Sequence, residues 1–178
     1  DRMTRGRIML GCGPGASPSG AYMLGIDPVT QRTRMVESLD AITALLKAEE
    51  PVTMKTDWFE LNKARLHLAP YSDPRFDIAV ASTITPFGMM AAGRHGLGVL
   101  SIGAGIPGGP EMLAKQWTIA EEEAAKRGKI MNRKDWRVVV VMHIAEDTEK
   151  ALHEIHYGER AETITYFEET LGRPPGRS

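Results

Sequence analysis

A parallel α/β fold is what this chain of 178 residues predicts, and two observations carry the prediction. Short apolar runs alternate with stretches of helical periodicity along the chain, and three of those runs end in turns built from glycine and hydroxyl residues. Strict alternation of strands with helices forces parallel pairing, because each crossover returns the chain to the same end of the sheet. Four such units make half of an eight-stranded barrel. A doubly wound open sheet has the same order, and alternation alone does not separate the two.

The first strand is read over Arg7 to Cys12 and stops at Gly13-Pro14-Gly15, where glycine and proline cannot extend a ladder. After a loop rich in Gly, Ser and Pro, Asp27-Pro28 supplies an N-cap and a first-turn proline. Met35, Val36, Leu39, Ile42, Leu45 and Leu46 then recur at helical spacing, so a helix is expected from Pro28 to Ala48. The stretch 51–70, centred on Trp58 and Phe59, is too polar for a barrel strand and reads as a hairpin-like excursion. Ile78 to Ala81 is the second core strand. It leads through Ser82-Thr83-Ile84-Thr85 to Pro86, which opens a helix ending near Gly96. Gly98 to Ile102 is the next strand. The loop 103–109 then enters a helix near Pro110 with Leu113, Trp117, Ala120 and Ala124 on one face, closed by Arg127-Gly128. Val138 to Ile144 is a nearly unbroken apolar run that predicts a strand covered on both faces, and Asp147 caps a helix carrying Ala151, Leu152 and Ile155.

Composition narrows the function classes. With 42% apolar and 25% charged residues the chain suits one globular domain, and 22 basic against 23 acidic side chains leave a formal charge of −1. No broad positive field exists to hold nucleic acid or an anionic membrane, so neither is expected as a partner. The single cysteine, Cys12, cannot form an internal disulfide, and no leader or long apolar span is seen, which predicts a cytoplasmic protein. Both ends are abrupt, so the sequence reads as an internal fragment.

In either architecture ligands bind at the carboxyl ends of the strands, which singles out Gly13-Pro14-Gly15, Ser82-Thr83-Ile84-Thr85 and Ser101-Ile102-Gly103-Ala104-Gly105. Glycine lets a backbone approach a flat ring or a phosphate, and hydroxyls and helix N-terminal amides suit phosphate oxygens. Thr85 also fits as a plain N-cap for the helix after Pro86. The Gly-Cys-Gly-Pro-Gly stretch is not a dinucleotide fingerprint, since no helix opens directly after the third glycine. Cys12 lies within a strand without a flanking cation, which fits burial rather than nucleophilic use. Of His67, His95, His143, His153 and His156, only the last two have a regular spacing, and surface placement accounts for them; no metal site is expected. His143, near a strand end, is a candidate to face a ligand. Glu37 is expected to be a structural partner.

These residues resemble the luciferase-like flavin-dependent monooxygenases, and among them the limonene monooxygenase-type members. The resemblance lies in Met3 to Gly15, Ala21-Tyr-Met-Leu-Gly-Ile-Asp27, Arg34-Met-Val-Glu-Ser-Leu39, Ile78-Ala-Val-Ala-Ser-Thr83 and Gly98-Val-Leu-Ser-Ile-Gly103, and extends to about Ala151. It implies a partial (β/α)8 TIM barrel: one incomplete domain over 1–178 holding strands four to seven with their helices, its N-terminal strands and last strand missing. It implies reduced FMN, or alternatively a deazaflavin, at the strand ends. It also implies O2 and a small hydrophobic substrate such as a terpene, a flavin reductase supplying the reduced cofactor, and a homo-oligomer. Carried over, Gly13, Pro14 and Gly15 lie against the flavin. Ser82, Thr83 and Thr85 meet its phosphate and ribityl chain, and Ser101, Ile102 and Gly103 flank the ring. Pro14 stands where luciferases proper carry an arginine. The family's catalytic histidine belongs to an earlier strand, so no catalytic residue is named and these residues alone are expected to be inactive. A deazaflavin-dependent dehydrogenase or reductase, and a non-enzymatic flavin-binding or structural piece, are the alternatives.

Overall fold

The computed structural model describes residues 1–15, 17–47, 49–103, 108–140, 142–160, 166, 169 and 170, with the side chains of 156, 157, 159 and 160 left aside. The chain divides into two compact units, Asp1–Gly13 with Arg32–Val140, and Pro14–Gln31 with Val141–Ser178. The elements are β1 (Met9–Cys12), α1 (Pro18–Met23), a 3-10 turn (Pro28–Thr30), α2 (Gln31–Lys47), β2 (Val52–Lys55), β3 (Glu60–Ala64), β4 (Asp77–Ser82), α3 (Phe87–His95), β5 (Gly98–Ile102), α4 (Gly109–Ala125), a second 3-10 turn (Arg133–Asp135), β6 (Trp136–Val139) and α5 (Thr148–Arg160).

In the first unit a four-stranded sheet runs in the order β1-β4-β5-β6, every pair parallel. Its register sets Cys12 beside Val80, Val80 beside Val99, and Ser82 beside Ser101. Helices cover one face. Ile78, Val80 and Val99 meet Met35, Leu39, Met89, Ala92, Trp117 and Ala120 there in one core cluster. The α4 face expected from periodicity is the buried one: Leu113, Trp117, Ala120 and Ala124 are all in the core. β2 and β3 form a separate antiparallel pair, pinned to α2 where Trp58 Nε1 donates to Glu37 Oε2 at 2.6 Å and Arg34 lies over the Trp58 ring. Glu37 is thus a structural partner.

Two glycines set how closely the helices approach. A Cβ on Gly88 would lie 2.3 Å from the Ala81 carbonyl oxygen, and one on Gly93 2.4 Å from that of Ala120. The first turn of α3 therefore rests directly on the end of β4, and α3 crosses α4 backbone to backbone. Gly96, at φ +62°, ends α3 in the left-handed conformation, and Leu97 N–H returns to Ala92 O at 3.0 Å.

Three expectations change. β6 ends at Val139, with Val138, Val139 and Val140 exposed, so the strand is not covered on both faces. An apolar run reports β propensity but not what lies over it, and among the described residues β6 has a neighbour only in β5. The helix from Pro28 is a 3-10 turn capped by Asp27, followed by α2. Pro86, not Thr85, is the N-cap of α3, and no side-chain bond caps it.

The second unit holds α1 (Pro18–Met23), within the Gly-, Ser- and Pro-rich stretch where the sequence predicts a loop. Ser17 Oγ accepts from Gly20 N at 3.1 Å and Pro18 fills the first helical position, a start signal present in the sequence. Asp147 caps α5 by accepting from Lys150 N at 2.8 Å, and His143 pairs with Glu154 on that helix. The side chain of His156 lies outside the described residues. No helix among the described residues is long and apolar enough to cross a membrane.

Gly88→Ala and Gly93→Ala should each destabilise the protein by about 1–3 kcal/mol, since backbone must move to admit the methyl. Gly158→Ala, in α5 with open space around it, should instead be neutral or stabilising by up to about 1 kcal/mol. Denaturant midpoints decide this, and equal effects at the three positions would refute the close-packing argument.

A pH dependence follows from α2 and α3. His95 Nε2 lies 3.2 Å from Asp40 Oδ1, Arg94 Nη2 binds Asp40 Oδ2 at 3.2 Å, and Thr43 Oγ1 is 3.3 Å from His95 Nδ1. Burial holds the His95 pKa below the ordinary histidine value; Asp40 opposes the shift, while Arg94, Arg127 and Lys129 add to it. The unfolded chain therefore takes up the proton first. Stability is full above about 6.5 and is lost as pH falls below that value toward the folded pKa. Glu123, held below the usual carboxylate range chiefly by its hydrogen bond from Arg127, loses its contribution only further down. Melting midpoints should drop between pH 7.5 and 5.5, and His95→Gln should flatten that slope; an unchanged slope in the variant would contradict the assignment.

Candidate cofactor site

Because β1, β4 and β5 are parallel and level, Gly13, Ser82 and Ser101 emerge at one edge of the sheet. Side chains alternate between faces along each strand, which divides the expected site residues into two sets.

On the face away from the helices lie Gly11, Gly13, Ala79, Ala81, Leu100 and Ile102. A Cβ on Gly13 would sit 3.3 Å from the Ala81 Cβ, and one on Gly11 3.6 Å from Leu100 Cδ1. Ala79 is fully buried, so the open β1–β4 part of this face is shallow and made of the exposed Gly11 and Gly13 and the half-buried Ala81, with Leu100 and the 53% exposed Ile102 beside it. Gly103 follows at φ +132°, a conformation that L side chains rarely adopt. A flat ring has space to lie here that larger side chains would fill.

Ser82 and Ser101 point the other way, into the helix layer. Ser101 is fully buried, and its Oγ accepts from Trp136 Nε1 at 2.9 Å. Trp136 in turn stacks on Trp117, with centroids 4.7 Å apart and planes 14° from parallel. Ser82, 2% exposed, donates a long 3.5 Å bond to Gln116 Oε1. Both hydroxyls are engaged inside the core, so what these positions offer the edge is backbone. Thr83 and Thr85 are exposed at the β4 end, and Thr85 is released from any capping duty.

Residue pattern alone does not single out Gln116 or Trp136. A polar residue at a buried position of α4 between Leu113 and Trp117 was the available signal for the first. Cys12 faces the core cluster, half-buried, and burial pushes its thiol pKa up, which leaves it unsuited to nucleophilic use. Pro14 and Gly15 belong to the second unit, where Gly15 takes φ +85° and a Cβ would meet Gln31 Nε2 at 2.9 Å. His143 is exposed on that unit. Ala104 and Gly105 lie outside the described residues. No group of three or more potential metal ligands occurs among the described residues. A cleft of about 250 Å³, lined by Asp73, Arg75, Asp77, Asp135 and Arg137, opens at the opposite, amino-terminal end of the strands. The Arg137–Asp77 pair closes part of it at 3.5 Å.

The chain is 46% identical over 158 residues to limonene 1,2-monooxygenase of Rhodococcus erythropolis, covering 89% of this chain and 40% of that protein. It is 43% identical to 4-hydroxyprotoasukamycin monooxygenase of Streptomyces nodosus subsp. asukaensis, covering all of this chain and 48% of that protein. The chain thus spans less than half the length of these relatives. Among solved structures it superposes on the monooxygenase RslO1 of Streptomyces bottropensis with a TM-score of 0.80 at 24% identity, covering 97% of this chain and 51% of that one. It also superposes on the oxygenating constituent of 3,6-diketocamphane monooxygenase of Pseudomonas putida, a structure in complex with FMN. There the TM-score is 0.70 at 21% identity, covering 99% and 55% of the two chains. These likenesses give the fold as a partial luciferase-like α/β barrel. Residues 1–175 match the model of one family, and the chain belongs to the luciferase-like monooxygenases.

Proposed function

We propose that the protein carrying this chain is a flavin-dependent monooxygenase that uses reduced FMN and O2 to oxygenate a small hydrophobic molecule such as a terpene. The observation that carries this reading is the shallow surface of Gly11, Gly13 and Ala81 toward the carboxyl edge, where a planar ring system fits and larger side chains would not. Monooxygenase relatives favour it over a deazaflavin-dependent dehydrogenase. The FMN complex of a fold neighbour supports the flavin.

In this reading the ring rests against Gly13 and Ala81 with Ile102 and Gly103 at its side, and the phosphate end extends toward Thr83 and Thr85. Ser82 and Ser101 hold their strand ends from beneath. The flavin, when bound, supplies the electrons that let O2 react. The chain's own residues bind and orient the ring and keep water from the apolar surface formed with Leu100 and Ile102. A separate flavin reductase delivers the reduced cofactor, and the protein is a cytoplasmic homo-oligomer. Relatives named for two different substrates match the chain about equally, at 46% and 43%. Both are named monooxygenases, so they support the reaction class rather than one substrate.

The test uses the protein as its gene encodes it. Anaerobic titration with reduced FMN should quench tryptophan fluorescence saturably. With limonene and 18O-labelled O2, one labelled atom should enter the product. Ala81→Leu, which fills the surface beside Gly13, should weaken FMN at least tenfold, about 1.4 kcal/mol, without lowering the melting midpoint. Hydride transfer to a deazaflavin without O2 would replace this reading with the dehydrogenase. Failure to bind any flavin would leave only a structural role.

A further inference from the structure

The buried polar side chains among the described residues are Ser82, Ser101 and Gln116, and all three lie under the carboxyl edge of the sheet rather than spread through the core. Gln116 is 4% exposed. Its Nε2 donates to Thr83 O at 2.9 Å and to Ile84 O at 2.7 Å, using both of its hydrogens, while Oε1 accepts the long bond from Ser82 Oγ. A buried amide is costly unless fully bonded. Here one side chain of α4 satisfies two successive carbonyls that have left the β4 ladder.

Those two bonds fix more than the carbonyls. The peptides from Thr83 to Ile84 and from Ile84 to Thr85 are trans, so in each the N–H points opposite to the C=O. With both carbonyls drawn inward to Gln116, the amides of Ile84 and Thr85 face outward, and neither donates to a backbone or side-chain acceptor among the described residues. Successive outward amides form a concavity suited to an anion. They adjoin the exposed Thr83 and Thr85 hydroxyls and the start of α3, which carries no side-chain cap.

We propose that Gln116 is a positioning residue of the cofactor site: from beneath, it holds the β4–α3 turn so that the Ile84 and Thr85 amides present themselves to the cofactor phosphate. This rests on the flavin reading above. Glutamine suits the task because one nitrogen offers two hydrogens. Glutamate would set its lone pairs against the carbonyls, and leucine would leave both unbonded and free to turn toward water.

The experiment compares FMN with riboflavin, which has the same ring without the phosphate, in the whole protein. Wild type should bind FMN at least tenfold tighter than riboflavin. Gln116→Leu should raise the FMN Kd about tenfold while leaving the riboflavin Kd within twofold, bringing the ratio near one; a merely structural loss would weaken both alike. Thr118→Ala, exposed on the same helix, should change neither. Gln116→Glu, close in size, should reproduce the loss of ratio and serves if the leucine variant does not fold. A readout without cofactor is amide hydrogen exchange at Met90, whose N–H donates to Pro86 O at 2.9 Å where the turn enters α3: in ligand-free Gln116→Leu it should exchange at least tenfold faster, with 98–102 unchanged. A wild-type ratio in both variants, or unaltered exchange at Met90, overturns the proposal. Should wild type bind neither flavin, the flavin reading fails and the phosphate role of Gln116 with it, while exchange at Met90 still reports whether Gln116 holds the turn.

Discussion

Because β1, β4 and β5 run parallel with Cys12, Val80 and Val99 abreast, the residues leaving these strands emerge together along one edge. Antiparallel pairing would send alternate strand ends to opposite edges and scatter the same glycines and hydroxyls. The ladder also divides neighbours in sequence: Ala81 and Ser82 are adjacent, yet one faces the open surface and the other the helices. The edge is therefore two layers thick, with small side chains and free amides above and hydrogen-bonded polar groups below.

The lower layer depends on how tightly the helices are seated. Gly88 brings α3 onto the last residues of β4, and Gly93 brings α3 against Ala120 of α4. That close approach sets α4 near enough for Gln116 to reach the turn after β4 and for Trp117 to stack on Trp136. Trp136 then bonds Ser101 at the end of β5. A chain of specific contacts thus links the helix packing to two of the strand ends, through groups that an all-apolar core would not contain.

Periodicity made the helix layer legible. The buried face of α4 was readable from Leu113, Trp117, Ala120 and Ala124, and Gly98–Ile102 was bounded by its own glycines. The direction of single side chains at the strand ends was not legible. Ser82 and Ser101 look like ligand hydroxyls in sequence because a serine at a strand end has the same letter whichever face it takes; only the register with Val80 and Val99 decides it. Gln116 is not legible in the sequence for a related reason. In a helix it reads as a surface residue, and its value comes from two carbonyls more than thirty positions earlier. β6 failed differently, since hydrophobicity shows that a strand forms but says nothing of which neighbours cover it.

The polar groups beneath the edge bear on why this end of the sheet, rather than the other, is the one proposed to hold a ligand. At the amino-terminal end the charged groups are exposed and pair with one another, as Arg137 does with Asp77, and water can compensate any that move. At the carboxyl end the bonds are buried, so water cannot replace them and the turn they hold has few alternative conformations. Amides held outward by such bonds are oriented before anything binds. A ligand meeting them does not have to order the turn itself, and that entropy is already accounted for in folding. Stability alone would favour leucine over glutamine at a buried helix position; the glutamine makes physical sense where the geometry of the adjoining turn matters more than the core it displaces.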